Sequence, residues 1–479
     1  MNRRLNLIGG ATTPSKTDGN PFLAGLPDPR TEEDQVHLLA HNPFRDKQWV
    51  LREADPRRLP MLMEEVFIPT QRCVEISQKI FDAIHNGYYR RDPRRIDIGR
   101  YINSTNLVET TGSTYSEGLS ISGVTGMGKS CIVGHVLRKI PQTIHHEDID
   151  GQLSGVTQIV WFQFEIAQVN GLAALLIQML RQVDKVLGTN EYSRQYASGK
   201  GNVDELADRV VQAFKMQFLG LLVLDEVQNL SFTRGDTGER MRNLLIRLAN
   251  NGTPTLLMGP PDSLQFLEKE GVSSQLERRM FSGGLFRIDP ADSLDDEDGR
   301  TIVRGLWRCQ IMPNVGDLTT AHLEAYFSNT AFIPKFVAHL HAASQQCALR
   351  AGEKSLSPER IDHTAQHDPM LMKMRSFIQA FVNQDPLGLI AYKDSGVDYF
   401  KKKWGRSAIR HQVAKSVVIS DADEGPSDVA SPQIVHARKL ATAKRRMDKS
   451  EKLADSEMDG QRTDLYRQME KLVKDSTMR

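Results

Sequence analysis

One stretch of this sequence has the residue types and spacing to hold a polyphosphate: GVTGMGKS, Gly123 to Ser130. Glycines at 123, 126 and 128 let successive backbone N–H groups turn toward an anion at a helix N-terminus. Lys129 would reach the terminal phosphates, and Ser130 would offer its hydroxyl to Mg²⁺. The expected nucleotide-binding residues are Gly123, Val124, Thr125, Gly126, Met127, Gly128, Lys129, Ser130 and the following Cys131. An apolar strand pattern precedes the stretch and a helical pattern follows it, which is the context this loop needs. ATP with Mg²⁺ is the expected ligand.

A second element supplies carboxylates. FLGLLVLDE, Phe218 to Glu226, is an apolar run of the kind found in a buried parallel strand. Its final pair would stand at the sheet edge where ligands bind in open α/β folds. Asp225 would hold Mg²⁺ through water, and Glu226 would polarise an attacking water. Phosphoryl transfer also needs a cation against the developing charge, often from a neighbouring subunit. Arg278 and Arg279 in QLERRMF are the candidates, with a solvated helix face as the alternative. Lys335 in AFIPKF, at the start of a helix, would lean over the phosphates or be a surface lysine.

The elements that must position these residues alternate between strand and helix. GLSISGV, TQIVWFQFE (Thr157 to Glu165), FLGLLVLDE and TPTLLMG (Thr253 to Gly259) read as strands. Helical patterns lie between them, over Leu172 to Leu187, Val203 to Met216 and Glu239 to Ala249. Such alternation predicts a parallel sheet covered by helices, an α/β core. Ahead of it, Ile76, Ile80 and Ile84 mark one face of a helix that ends in Gly87-Tyr88-Tyr89 and the basic turn RRDPRR. After Asp289 the strands stop, and Asp295 to Cys309, Thr319 to Tyr326 and Pro334 to Leu349 read as helices. The expected division is an N-terminal arm over 1–60, an ATPase core over 61–289, a helical lid over 290–355 and a C-terminal extension over 356–479. The polar run Ser420 to Gln433 makes part of that extension a linker or disordered.

Composition sets the outer limits. The chain has 479 residues, and 61 Lys and Arg nearly balance 60 Asp and Glu, so no chain-wide basic charge advertises nucleic acid. Local basic clusters, Arg90 to Arg95, Lys401 to Arg410 and Lys444 to Arg446, carry any such argument. The cysteines at 73, 131, 309 and 347 form no CxxC pair, which argues against a zinc or redox motif. Scattered cysteines and no secretory signal point to the reducing cytoplasm. No apolar run approaches the roughly 18 residues of a membrane span, so no membrane association is expected.

From Val66 to about Leu349 the sequence resembles the AAA+ ATPases of transposons, the TnsC and TniB regulators. The resemblance is carried by VFIPT…GYYRRDPRR before the phosphate loop and LDEVQNL…LLIRLANNGTPTLLMGPPDS after it. It implies an AAA+ P-loop fold with a parallel sheet core, a small helical lid and extended N- and C-terminal segments. It also implies ATP sites between subunits of a ring or helical filament, and assembly on double-stranded DNA in a bacterial cytoplasm. The implied partners are a transposase and a target-selecting protein of the TniQ or TnsD type. In that family Lys129 and Ser130 match the Walker A pair, Asp225 and Glu226 the Walker B pair, and Arg278 and Arg279 fall where the arginine finger is expected. GPPDS departs from it: Pro260 stands where the family carries a hydroxyl sensor, leaving Asp262 or Ser263 as substitutes. The long tail implies the larger TnsC type, with residues 377–404 docking a transposase subunit. A helicase loader or replication initiator of similar build is the alternative, and a nucleotide-binding scaffold without DNA is another.

Overall fold

The computed structural model describes residues 19–45, 55–103, 117–149, 151, 153–166, 171–196, 201–231, 236–263, 282–392 and 395–405. Residues up to Trp404 form one compact unit. The second unit begins at Gly405, and everything in it from Arg406 onward, including the polar run and the basic clusters at Arg406, Arg410 and Lys444 to Arg446, lies outside the described residues.

Five parallel strands make the sheet: β1 (Gly118–Gly123), β4 (Trp161–Glu165), β5 (Leu221–Asp225), β6 (Thr255–Gly259) and β7 (Gly284–Ile288). Their spatial order is β4-β5-β6-β1-β7, with β1 hydrogen-bonded to β6 on one side and to β7 on the other. The period of two in a strand explains the all-apolar run of β5. Leu221 and Val223 join the core on one face of the sheet, and Leu222 and Leu224 join the core on the other. The second core is closed by the helices Leu172–Leu187, Val203–Met216 and Asp236–Asn250.

The sequence reading differs from this sheet in two places. TQIVWFQFE is not one strand. Its first part belongs to β3 (Leu153–Ile159), which pairs antiparallel with β2 (Thr143–Ile149) in a separate two-stranded sheet. The break falls at Val160, whose N–H donates to Gln142 O, and only Trp161 onward joins β5. The strand β7, GLFRI, is an addition, since its mixed polarity hides it among the neighbouring charges.

The described residues of the expected N-terminal arm are packed on the core. Phe22 and Leu39 are fully buried, and Asn20 donates to the carbonyl of Tyr88 at 3.0 Å. The long helix α3 (Gln71–Arg90) runs through Gly87-Tyr88-Tyr89 instead of ending there. Gly87 lies so close to Pro254 that a β-carbon would sit 2.9 Å from its ring. RRDPRR is largely structural. Arg91 is fully buried and donates to Leu219 O at 2.8 Å, while Asp92 binds Arg94 at 2.6 Å and Arg95 at 3.5 Å.

The lid helices Glu297–Trp307, Thr320–Thr330 and Pro334–Arg350 stand close to their expected bounds. A domain boundary at 355 does not. Helices Pro358–His367 and Pro369–Val382 pack on the lid, and the described residues close with a helix over residues 397–405. Phe381, Leu389, Phe400 and Trp404 are buried in the same core as the lid helices. Tyr399 Oη donates to Asp289 at 2.7 Å, Lys403 pairs with Asp289 and Asp292, and Trp404 Nε1 donates to Asp292 at 3.0 Å. Within residues 377–404, expected to dock a transposase subunit, Leu389 and Phe400 are used internally. Leu387 and Ile390 remain exposed.

Candidate nucleotide site

The phosphate loop leaves β1 at Gly123, where only glycine fits. A β-carbon there would lie 2.4 Å from the Ile288 carbonyl of β7. Gly126 and Gly128 have φ of 91° and 85°, the left-handed region that disfavours side chains. The helix Lys129–Leu137 follows at once, so its free N–H groups and positive dipole end face the loop.

Lys129 Nζ donates to Gly123 O at 2.6 Å. Burial pushes its ammonium below the usual lysine range, and the charges of Asp225 and Glu226 pull the other way. The structure brings Ser130 and Asp225 together, with Ser130 Oγ donating to Asp225 Oδ2 at 2.7 Å. Glu226 follows at φ 59°, an uncommon conformation for a residue with a β-carbon, and its N–H donates to Asp225 Oδ1 at 2.9 Å. Gln228 Nε2 donates to the Glu226 carboxylate.

Among the described residues no cluster of three or more His, Cys, Asp or Glu could hold a metal. The donor set of one hydroxyl and one carboxylate nevertheless fits Mg²⁺. That ion keeps several waters and uses one or two carboxylates together with substrate phosphates.

Lys335 stands beside the loop. Its N–H donates to Gly126 O at 3.2 Å, and its side chain is exposed. The turn before it is held tightly. Ala331 and Phe332 both have positive φ, and a β-carbon on Gly126 would lie 3.1 Å from Ile333. Arg278 and Arg279 lie outside the described residues. Of the substitute sensors, Ser263 Oγ donates to Pro260 O at 2.6 Å, so its hydroxyl is engaged within its own turn. Burial, with a contribution from Asp398, raises the Asp262 carboxyl above its usual range.

Sequence reasoning gave no role to the segment before the long helix α3. Phe67, Ile68 and Thr70 line a largely apolar cavity with Met127 and Ile132 of the phosphate-loop region and Ile302 and Phe332 of the lid. Phe67 stacks on His135 with ring centroids 4.0 Å apart. Burial, reinforced by Arg138, lowers His135 to about 4, so this ring is neutral at neutral pH. A cavity of this polarity next to a phosphate site suits the base and sugar of a nucleotide. The legible signal was VFIPT itself, an apolar run just before a helix.

Residues 115–267 match the family model described as AAA domain. No curated protein matches the chain. Among solved structures the chain is similar to the Aeropyrum pernix ORC2 protein in ADPNP-ADP complexes, at 14% identity, 58% of this chain, 68% of that one and a TM-score of 0.36. It is also similar to a Walker-type ATPase of Pyrococcus abyssi, at 14% identity, 57% and 72% coverage and a TM-score of 0.36. The Aeropyrum pernix ORC1 protein in complex with DNA is similar at 15% identity, 64% and 75% coverage and a TM-score of 0.36. A parallel sheet flanked by helices, a phosphate loop between β1 and its helix, and the AAA domain match together make this an AAA+ P-loop ATPase fold.

Proposed function

We propose that this chain hydrolyses ATP, and that it regulates transposition by assembling on double-stranded DNA between a target-selecting protein and a transposase. The nucleotide half of the proposal is carried by the Ser130–Asp225 hydrogen bond, which joins two motifs far apart in sequence at one point beside Lys129. In this arrangement the loop N–H groups and Lys129 bind phosphate oxygens, and Ser130 and Asp225 present the metal ligands. Bound Mg²⁺ supplies positive charge against the phosphate oxygens. Glu226 takes the proton from the attacking water, and Phe67 with Phe332 encloses the base. Lys335, whose backbone N–H meets Gly126 O, would sense the terminal phosphate from the lid.

The DNA and transposition half is supported by the order of motifs from VFIPT through LDEVQNL to GTPTLLMG, which resembles the TnsC and TniB regulators. Of the basic clusters, Arg91, Arg94, Arg95 and Lys403 have partners within the chain, and Arg406, Arg410 and Lys444 to Arg446 lie outside the described residues. Electron microscopy with ATP and duplex DNA, followed by a pull-down with a transposase, tests it. Regular oligomers on DNA that retain transposase are expected. Nucleotide binding without assembly on DNA refutes it in favour of a scaffold.

A further inference from the structure

We propose that Gln228 is the positioning residue for Glu226: its side-chain amide holds one carboxylate oxygen and leaves the other to meet the attacking water. This rests on the assignment of Glu226 as base. The exit of β5 is pinned from both sides. Val227 N–H donates to Met258 O of β6 at 3.1 Å, and Ile166 N–H, just past β4, donates to Asp225 O at 3.0 Å. Asn229 Nδ2 donates back to Ile166 O at 2.7 Å. Both Asp225 oxygens are engaged, one by Ser130 Oγ and one by Glu226 N–H.

Within that rigid turn the Glu226 side chain is only half-buried, and an unheld glutamate has several rotamers to sample. Gln228 is buried, and its Nε2 reaches Glu226 Oε2. Ser263, on the neighbouring turn, bonds Pro260 O instead. A neutral amide suits the task. A lysine or arginine in its place would draw down the basicity of the carboxylate far more strongly. The amide orients the base and leaves its charge in place.

The test is Gln228→Met, which keeps length and volume but removes the donor, made alone and in a Glu226→Gln background. ATP turnover, affinity for a fluorescent ATP analogue and melting temperature are measured for each full-length variant. In the wild-type background kcat should fall about tenfold to a hundredfold, the scale of a misplaced catalytic group, with analogue affinity within about twofold. In the Glu226→Gln background the same change should leave the residual rate within about twofold, since the two residues act as a unit. Equal losses in both backgrounds, or a loss of affinity matching the loss of kcat, would show a structural role and overturn the proposal. If Gln228→Met does not fold, Gln228→Asn, one methylene short, must give the same selective loss of kcat. Normal turnover in the Gln228 variants beside an inactive Glu226→Gln overturns this inference alone. A wild-type protein without turnover, or a fully active Glu226→Gln, overturns the ATPase assignment as well.

Discussion

Replacing Phe400 with alanine tests whether the closing helix belongs to the ATPase unit. Phe400 is fully buried, with ring centroids 5.2 Å from Phe381, 4.6 Å from Trp404 and 5.0 Å from Tyr399. Truncating a buried phenylalanine costs about 3–5 kcal/mol through lost transfer energy and the cavity left behind. The polar ties of the same helix set how that loss is expressed. Tyr399, Lys403 and Trp404 make their bonds to Asp289 and Asp292 only while the helix stays docked. Bonds to charged groups contribute about 1.5–3 kcal/mol each, so several of them should keep the helix in place around the cavity. The destabilisation should then reach the whole unit, lowering its melting temperature by on the order of 5–10 °C. Hydrogen exchange should quicken in Pro369–Val382 as well as in residues 397–405. A denaturation change under about 1 kcal/mol, with exchange confined to residues 397–405, would mean that the helix detaches locally and that the core does not depend on it. Ending the chain at Phe377 should be more severe, since it removes Phe381, Leu389, Phe400 and Trp404 together.

Lys129→Ala should abolish ATP binding, because Lys129 is the cation that the loop places against the phosphates; wild-type affinity by calorimetry would refute the loop assignment. Glu226→Gln should bind ATP and turn it over at least roughly a hundredfold more slowly, and near-normal phosphate release would assign the water to another residue. If Arg278 or Arg279 completes a neighbour's site, mixing an arginine variant with Lys129→Ala should restore part of the turnover. No recovery in a co-assembled mixture would place those arginines elsewhere. His341 is fully buried, accepts from Tyr326 Oη at 2.6 Å and is lowered by burial to about 4. The unfolded chain, with histidine near 6.5, therefore binds the extra proton first. Stability from this group is full above about pH 6.5 and is lost as pH falls toward 4. His341→Gln should flatten that part of a melting-temperature profile, and an unchanged slope would remove His341 as its source.

What was legible in the sequence follows from where each constraint originates. The phosphate loop could be read because phosphate contact dictates residue type locally: Gly123 has no room for a β-carbon, and Gly126 and Gly128 take positive φ. The Asp225–Glu226 pair could be read because β5 is apolar on both faces and the change to acid marks its exit. The elements that escaped are those whose fate is set by distant partners. Arg91 reads as one of six residues in a basic turn, yet it is buried because the Leu219 carbonyl, 128 positions away, accepts from it. TQIVWFQFE reads as one strand because nothing within it announces that Val160 bonds Gln142. Tyr399 and Lys403 read as a tail until Asp289, more than a hundred positions earlier, supplies their partner. The same distant tie bears on how the site would work. Asp289 directly follows β7, the strand whose Ile288 carbonyl packs on Gly123. On the far side of the loop, Lys335 N–H and Ile333 meet Gly126. The loop is therefore held between a strand end clamped by the closing helix and a lid turn with two positive φ values.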